Sequence, residues 1–418
     1  MASPRSTLYA VMLVSLLGTA GIALPYPVLS PYFLDGNNVN ELTAWLGLNP
    51  KLLLGGLLAL YPLGLIFGSS VIGALSDTYG RKPLLIITLL ASVFCYGLTG
   101  YAVTLESYPL FALARFLTGL FEGNIAVSRA IALGLHPAIN RTRALSLLYA
   151  TNYLGWLLGP LAGGYLVALG VADVFYVAGA VTLLATVMVQ LAIAKPPATE
   201  TVPQHSLRQV LRAMREQNSL GLVREKPMQP LLLYHILYTL GLNLFYEFYP
   251  LWLVERFNFT SLEIGWSTVA ITGTMIASSI YAVTWLENQY GALDALRRSS
   301  LALSLTLLVL PFAGPVTLYA LFIASGGIIA LCNGIFPAYM ANRFESFGLG
   351  RVQGLLTTNF CIANVIAALI GSVIALAGVG WALATGGMLT LAASLWLWSW
   401  RPDTSGVETC SSAINDHD

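Results

Sequence analysis

The sequence predicts an all-α integral membrane protein: twelve transmembrane helices in two pseudo-symmetric six-helix bundles. Three observations lead there. Of 418 residues, 57% are hydrophobic and only 9% charged, against about 25% charged in a typical soluble protein, and mean hydropathy is +0.74. The apolar residues fall into stretches long enough to cross a bilayer, which takes about 20 residues each. The basic residues crowd into alternate loops. A net charge of +1 gives no basic footprint for nucleic acid, so the expected surroundings are lipid.

The first span is 6–34, because no charge lies between Arg5 and Asp35; it exceeds the roughly 7–15-residue core of a cleavable signal. Residues 52–76 and 84–105 form the second and third spans. The fourth, 108–133, is unusual in carrying charges. Residues 144–172 and 174–194 form the fifth and sixth. After a polar stretch come a seventh span near 229–254 and an eighth near 264–286. Ser299 to Asn342 is a run of 44 uncharged residues broken at Pro311 and Gly314-Pro315, and Val352 to Trp400 a run of 49 broken around Gly378–Gly380. Each run is a hairpin of two spans. The expected domains are 1–195, a linker at 196–227, and 228–418. Within the linker, Leu207, Val210, Leu211 and Met214 recur at helical spacing between Arg208, Arg212 and Arg215, which fits a short amphipathic helix on the inner membrane face or a disordered tether.

Orientation follows the positive-inside rule. With the N-terminus inside, sixteen Lys and Arg fall on inner segments and only Lys51 and Arg256 on outer ones. Both termini are expected in the cytoplasm, with the chain in the plasma membrane, for a bacterium the inner membrane. The two halves also repeat. Asp77-Thr-Tyr-Gly80 after the second span is matched by Asn288-Gln-Tyr-Gly291 after the eighth, and Pro27 by Pro250. Parallel repeats of this kind are typical of transporters whose substrate lies between the halves.

The loop between the second and third spans reads Gly73-Ala-Leu-Ser-Asp77-Thr-Tyr-Gly80-Arg81-Lys82. The fourth span holds Arg115-Phe-Leu-Thr-Gly119, and the fifth Gly155-Trp-Leu-Leu-Gly159-Pro160-Leu-Ala-Gly163-Gly164. These resemble the signature loop, the R-x-x-x-G element and the G-x-x-x-G-P-x-x-G-G motif of the major facilitator superfamily, and with Ala23-Leu-Pro-Tyr-Pro-Val-Leu they resemble its twelve-span, tetracycline-exporter-like branch of drug–proton antiporters. The resemblance implies alternating access with proton-coupled efflux. It also implies a conformational latch in which Asp77, with Gly73, Gly80, Arg81 and Lys82, meets the positive N-terminal end of the eleventh span. The alternative is that Arg81 and Lys82 only obey the positive-inside rule. Thr78 stands where the family usually has arginine, and Asn288 removes the acid from the second copy. Gly155, Gly159 and Gly163 make a flat face for close helix packing, joined by Gly164, and Pro160 bends the helix.

Charged side chains within the bilayer cost at least about 2.5–3.5 kcal/mol on insertion scales, so they line cavities or pair. Arg115, Glu122 and Arg129 recur every seven residues, near two helical turns, and share one face. The family's spans 1, 4, 7 and 10 surround the central cavity, so the resemblance places this face there. A low-dielectric site disfavours an ionised carboxyl and a nearby arginine favours it, a competition suited to proton exchange; a permanent Glu122–arginine pair is the alternative. Glu122 is the first candidate for proton coupling and Glu247 the second. His235 is the third, as a side chain able to change charge near neutrality. Tetracycline-type exporters carry an acid in span 1, whereas 6–34 hold none, which moves the coupling to spans 4 and 7.

Candidates for the substrate cavity are Arg115, Arg129, Tyr26, Asn152, Tyr153, Asn243, Asn333 and Asn359; Asn364 also lies within a span. Two arginines beside one glutamate suit anionic or zwitterionic organics. Cys95, Cys332, Cys361 and Cys410 show no disulfide or metal spacing, and no nucleotide loop or nucleophile motif is present. No enzyme activity, cofactor or metal is therefore expected; the expected partners are a small molecule, protons and lipid, with the chain a monomer. The rival readings are a proton-coupled importer on the same fold and a transport-inactive receptor.

Overall fold

The computed structural model describes residues 4–122, 127–128, 131–132, 135, 138–139, 141–192, 219–347 and 349–401. Among these the regular structure is entirely helical, and nine helices are long and apolar enough to cross a membrane. The first span divides into α1 (Pro4–Ala23) and α2 (Tyr26–Leu34). The N-terminal half continues with α3 (Pro50–Tyr79), α4 (Arg81–Thr104), α5 (Tyr108–Phe121), α6 (Arg141–Leu166) and α7 (Val171–Ala192). The C-terminal half comprises α8 (Gln229–Phe257), α9 (Ser261–Tyr290), α10 (Ala292–Val309), α11 (Pro315–Arg343), α12 (Leu349–Ile374) and α13 (Val379–Ser399).

Local chemistry sets the boundaries. The helices α3, α5, α8 and α11 each carry proline in their first turn, where a missing N–H leaves no intrahelical bond unmade. The break between α1 and α2 falls at Pro25, which cannot donate to the preceding turn. Thr260 and Glu263 form a reciprocal capping box at the start of α9. The repeat seen in the sequence is structural: Gly80 joins α3 to α4 at φ 90°, and Gly291 joins α9 to α10 at φ 76°, in a region open chiefly to glycine. Gly170 and Gly378, at φ 136° and 135°, make a second matched pair, each following a short 3-10 turn.

In the N-terminal half α1 packs on α6 and α7, α3 on α5, and α4 on α5 and α7. In the C-terminal half α8 packs on α12 and α13, α9 on α11, and α10 on α11 and α13. The two halves meet where α3 crosses α12, where α6 crosses α9, and where α2 leans on α8. One apolar core runs through both halves, from Leu42, Leu53 and Phe33 to Phe248, Trp252 and Ala375. A second, containing Leu8, Ile72, Leu85 and Val189, belongs to the N-terminal half alone. The halves are thus sealed together at the end bearing loop 35–49.

Glycine permits the closest crossings. A side chain at Gly159 would sit 2.6 Å from the Ala20 carbonyl oxygen, and one at Gly155 2.7 Å from Thr19 Cβ. Those two face α1, and Gly163 faces Leu24 at the break between α1 and α2. Gly164 instead faces the other half, where a Cβ would lie 2.8 Å from the Ser261 oxygen; Gly265 is equally tight against Pro160. The fifth-span motif therefore serves two interfaces rather than one flat face, because successive helical residues are rotated by about 100°.

Two expected elements are described only in part or not at all. Of the expected span 108–133, α5 covers Tyr108–Phe121 with Glu122 as its C-terminal cap, and residues 127–128 and 131–132 are helical as well. The linker helix expected around 206–218 lies outside the described residues; Ser219–Arg224 forms a 3-10 turn leading towards α8.

Candidate functional site

The buried charge is distributed on both sides of the seam. Glu122, at the end of α5, is 3% exposed. Tyr61 of α3 donates to its Oε2, and Tyr96 of α4 donates to its Oε1 at 3.0 Å. It borders a void of about 10 Å³ with Gly18, Ser92 and Thr182. All of these lie in the N-terminal half, so the described contacts of Glu122 are made within that half. Seven-residue spacing identifies a shared face, but only packing tells which neighbour that face meets. Its carboxylate is held by two tyrosines and not by an arginine ion pair among the described residues.

Arg115 lies two turns earlier on α5 and is 8% exposed. Its guanidinium carbon stands 5.1 Å from the Tyr61 ring centroid, within cation–π range, and its Nε has no hydrogen-bond acceptor. Tyr61 therefore receives Arg115 on its ring face while its hydroxyl serves Glu122. Arg129 lies outside the described residues.

Glu247 of α8 is 9% exposed. Asn364 of α12 donates to its Oε1 at 3.0 Å and to Asn243 Oδ1 at 3.5 Å, while Asn243 donates to the Phe360 carbonyl at 3.4 Å. Nearer the α8 N-terminus, His235 Nδ1 meets Asn359 Nδ2 at 2.6 Å and stacks on Phe336 with centroids 5.0 Å apart. A polar ladder thus ties α8 to α12. Tyr26 of α2 crosses the seam, donating to the Tyr246 carbonyl and packing edge-on against Trp156 at 5.9 Å. Tyr153 packs at the margin of the shared core.

Two asparagines make contacts within their own halves. Asn152 Oδ1 accepts from Ser15 at 2.6 Å and Thr19 at 3.1 Å, binding α6 to α1. Asn333 Oδ1 accepts from Tyr238 at 3.1 Å, binding α11 to α8. Each carbonyl oxygen is engaged within its own half, at a half-buried position where a neighbouring hydroxyl satisfies it. Of the proposed latch, Lys82 is buried and donates to the Gln190 carbonyl at the end of α7 at 2.9 Å. Gly80 makes the turn, Arg81 starts α4, and Gly73 and Asp77 fall within α3; the Asp77 side chain lies outside the described residues.

The sequence reading missed Tyr61, Tyr96 and a third cluster. Lys51 Nζ lies 2.6 Å from Glu255 Oε2 and donates to the Ala375 carbonyl at 3.0 Å. Glu255 Oε1 accepts from Val379 N at 3.4 Å. The signals were present: tyrosine hydroxyls within apolar spans, and one of only two outer basic residues.

The family model described as Major Facilitator Superfamily matches residues 8–368. The chain is 30% identical over 162 residues to the tetracycline resistance protein, class H, of Pasteurella multocida, an alignment covering 39% of this chain and only 38% of that protein. It is 23% identical over 372 residues to the class B tetracycline resistance protein of Escherichia coli, covering 88% of each. Among solved structures, a D-xylose-proton symporter superposes with a TM-score of 0.77 at 16% identity, over 96% of this chain and 99% of that one.

Proposed function

The chain belongs to the Major Facilitator Superfamily of secondary transporters, and on that premise we propose that it exports a small organic molecule in exchange for protons. It works as a monomer in a bacterial inner membrane, with both termini in the cytoplasm. The observation that carries this reading is a buried carboxyl group in each half, Glu122 held by Tyr61 and Tyr96 and Glu247 held by Asn364. Neutralising either carboxyl changes the buried charge of its half, and so changes the energy of one arrangement of the halves relative to the other. A ligand or proton can shift such an equilibrium only by its differential affinity for the two states.

The reading assigns Glu122 and Glu247 to proton exchange and His235 to the ladder that ties α8 to α12. The seam aromatics Tyr26, Tyr153, Trp156 and Tyr246 supply stacking surface for an organic substrate, with Arg115 and Asn243 as its polar contacts. Asp77 acts with Gly73, Gly80, Arg81 and Lys82 as the inner latch. The relatives' names make tetracyclines the first probes.

The test is flux in vesicles containing the purified chain, with a pH gradient imposed across the membrane. Antiport drives substrate towards the acidic compartment whichever way the protein is inserted. Accumulation on the alkaline side would instead identify a proton-coupled importer. No movement across a broad panel of small molecules would favour the transport-inactive receptor.

A further inference from the structure

We propose that Glu247 and Asn364 form a proton-binding pair clasping α8 to α12. In it the Glu247 carboxyl, protonated at Oε2, donates to Asn364 Oδ1 while Asn364 Nδ2 donates back to Oε1. The return bond is in place at 3.0 Å. Glu247 Oε2 and Asn364 Oδ1 are both buried and reached by no donor among the described residues. Both are acceptors when the carboxyl is ionised, and orphaned buried acceptors are rare in folded proteins. A single proton satisfies both, because a carboxylic acid carries one O–H donor beside its carbonyl oxygen.

The orientation of the Asn364 amide matters, since its two ends are fixed by the surrounding network. Asn243 supplies that network. Its own nitrogen is committed to the Phe360 carbonyl, so its oxygen is turned to Asn364 Nδ2. That holds the Asn364 nitrogen towards Asn243 and Glu247 Oε1, and leaves its oxygen for the proton. Asn243 is thereby a positioning residue for the pair.

Other charged and titratable groups act on Glu247 from several elements. Arg115 approaches from α5 and Tyr26 from α2, while Tyr249 lies on α8 itself. α12 presents Asn364, and α13 carries no charged residue. Among the described residues no cation forms an ion pair with Glu247, and Arg115 Nε makes no hydrogen bond. Proton occupancy therefore decides whether the clasp is complete. With the proton, both bonds of the pair are made; without it, Glu247 Oε2 and Asn364 Oδ1 are left as two unsatisfied buried acceptors. The inference deepens the reading of this chain as a proton-coupled carrier and gives the coupling proton a defined seat.

Infrared spectroscopy of the purified protein tests this, because a protonated carboxyl has its own C=O band. At neutral pH the band is expected in the wild type and in Glu122→Gln, and is lost in Glu247→Gln. In Asn364→Leu it moves to higher wavenumber, since the carbonyl no longer accepts a hydrogen bond. Should Asn364→Leu fail to fold, Asn243→Ser, which releases the Asn364 amide, carries the same expectation. Glu247→Gln is expected to retain wild-type thermal stability, because an amide supplies one donor and one acceptor to the same clasp. A spectrum unaffected by Glu247→Gln overturns the proposal, as does a Glu247 band indifferent to both asparagine variants. These readouts report proton occupancy and not flux, so failure here is distinct from failure of the vesicle assay.

Discussion

Lys51 and Glu255 lie 204 positions apart in the chain and form an ion pair of 2.6 Å between the two halves. Lys51 begins α3 of one half, and Glu255 sits at the end of α8 of the other. The Ala375 carbonyl and Val379 amide complete the cluster, so four segments converge at the end bearing loop 35–49. With side chains 18% and 38% exposed, the pair is partly hydrated, and exposed pairs contribute about 0.2–1 kcal/mol. Its effect is to bias two arrangements rather than to hold the fold.

Replacing Lys51 with Met should therefore leave the protein folded and weaken the seal at that end by up to about five-fold in population, by the same energy. Ser372, which is buried against Gly55 of α3, is a suitable reporter. The thiol of Ser372→Cys, in a background lacking the native cysteines, should react faster when Lys51→Met is also present. Equal labelling rates would show that the ion pair does not bias closure.

The tyrosine cradle of Glu122 gives a stability expectation. Tyr96→Phe removes one donor from a buried carboxyl, and hydrogen bonds to charged groups are worth about 1.5–3 kcal/mol. Thermal unfolding in detergent should show a loss of that order, with a comparable loss for Tyr61→Phe, which also removes the hydroxyl but keeps the ring beneath Arg115. Unchanged stability in both variants would mean that the hydroxyls do not hold the carboxyl.

Glu122→Gln separates structure from coupling. Tyrosine hydroxyls can turn to accept from an amide, so folded yield should stay near that of the wild type. Transport driven by a pH gradient should be lost, while exchange of substrate down its own gradient survives. Full proton-driven flux would remove Glu122 from the coupling scheme and leave Glu247.

Close helix crossings make a steric comparison available. Gly159→Ala places a methyl group against the Ala20 backbone, and overpacking of this kind costs about 1–3 kcal/mol. Gly97→Ala, on α4 with open space around it, should be neutral or slightly stabilising, since alanine favours helix by about 1 kcal/mol. Equal melting temperatures for the two variants would refute the packing argument.

Topology can be checked independently. Single cysteines in 35–49 should react with a membrane-impermeant reagent added to intact cells, and those in 195–227 should be protected until the membrane is opened. The reverse pattern would invert the orientation.

The sequence by itself determined the class of the molecule, the spans and the repeat. Those depend on quantities that are local in the chain: the length of uncharged runs, proline at helix starts, and glycine at turns such as Gly80 and Gly291. The buried charges were equally legible, because Arg115, Glu122 and Glu247 stand out against apolar neighbours wherever the helices are placed. Tertiary structure decided their partners. Glu122 meets Tyr61 and Tyr96, Glu247 meets Asn364, Asn152 is committed to α1, and Lys51 crosses to Glu255. Helical periodicity fixes which residues share a face, but the rotation and neighbours of that face follow from how whole helices pack, through contacts between residues tens to hundreds of positions apart.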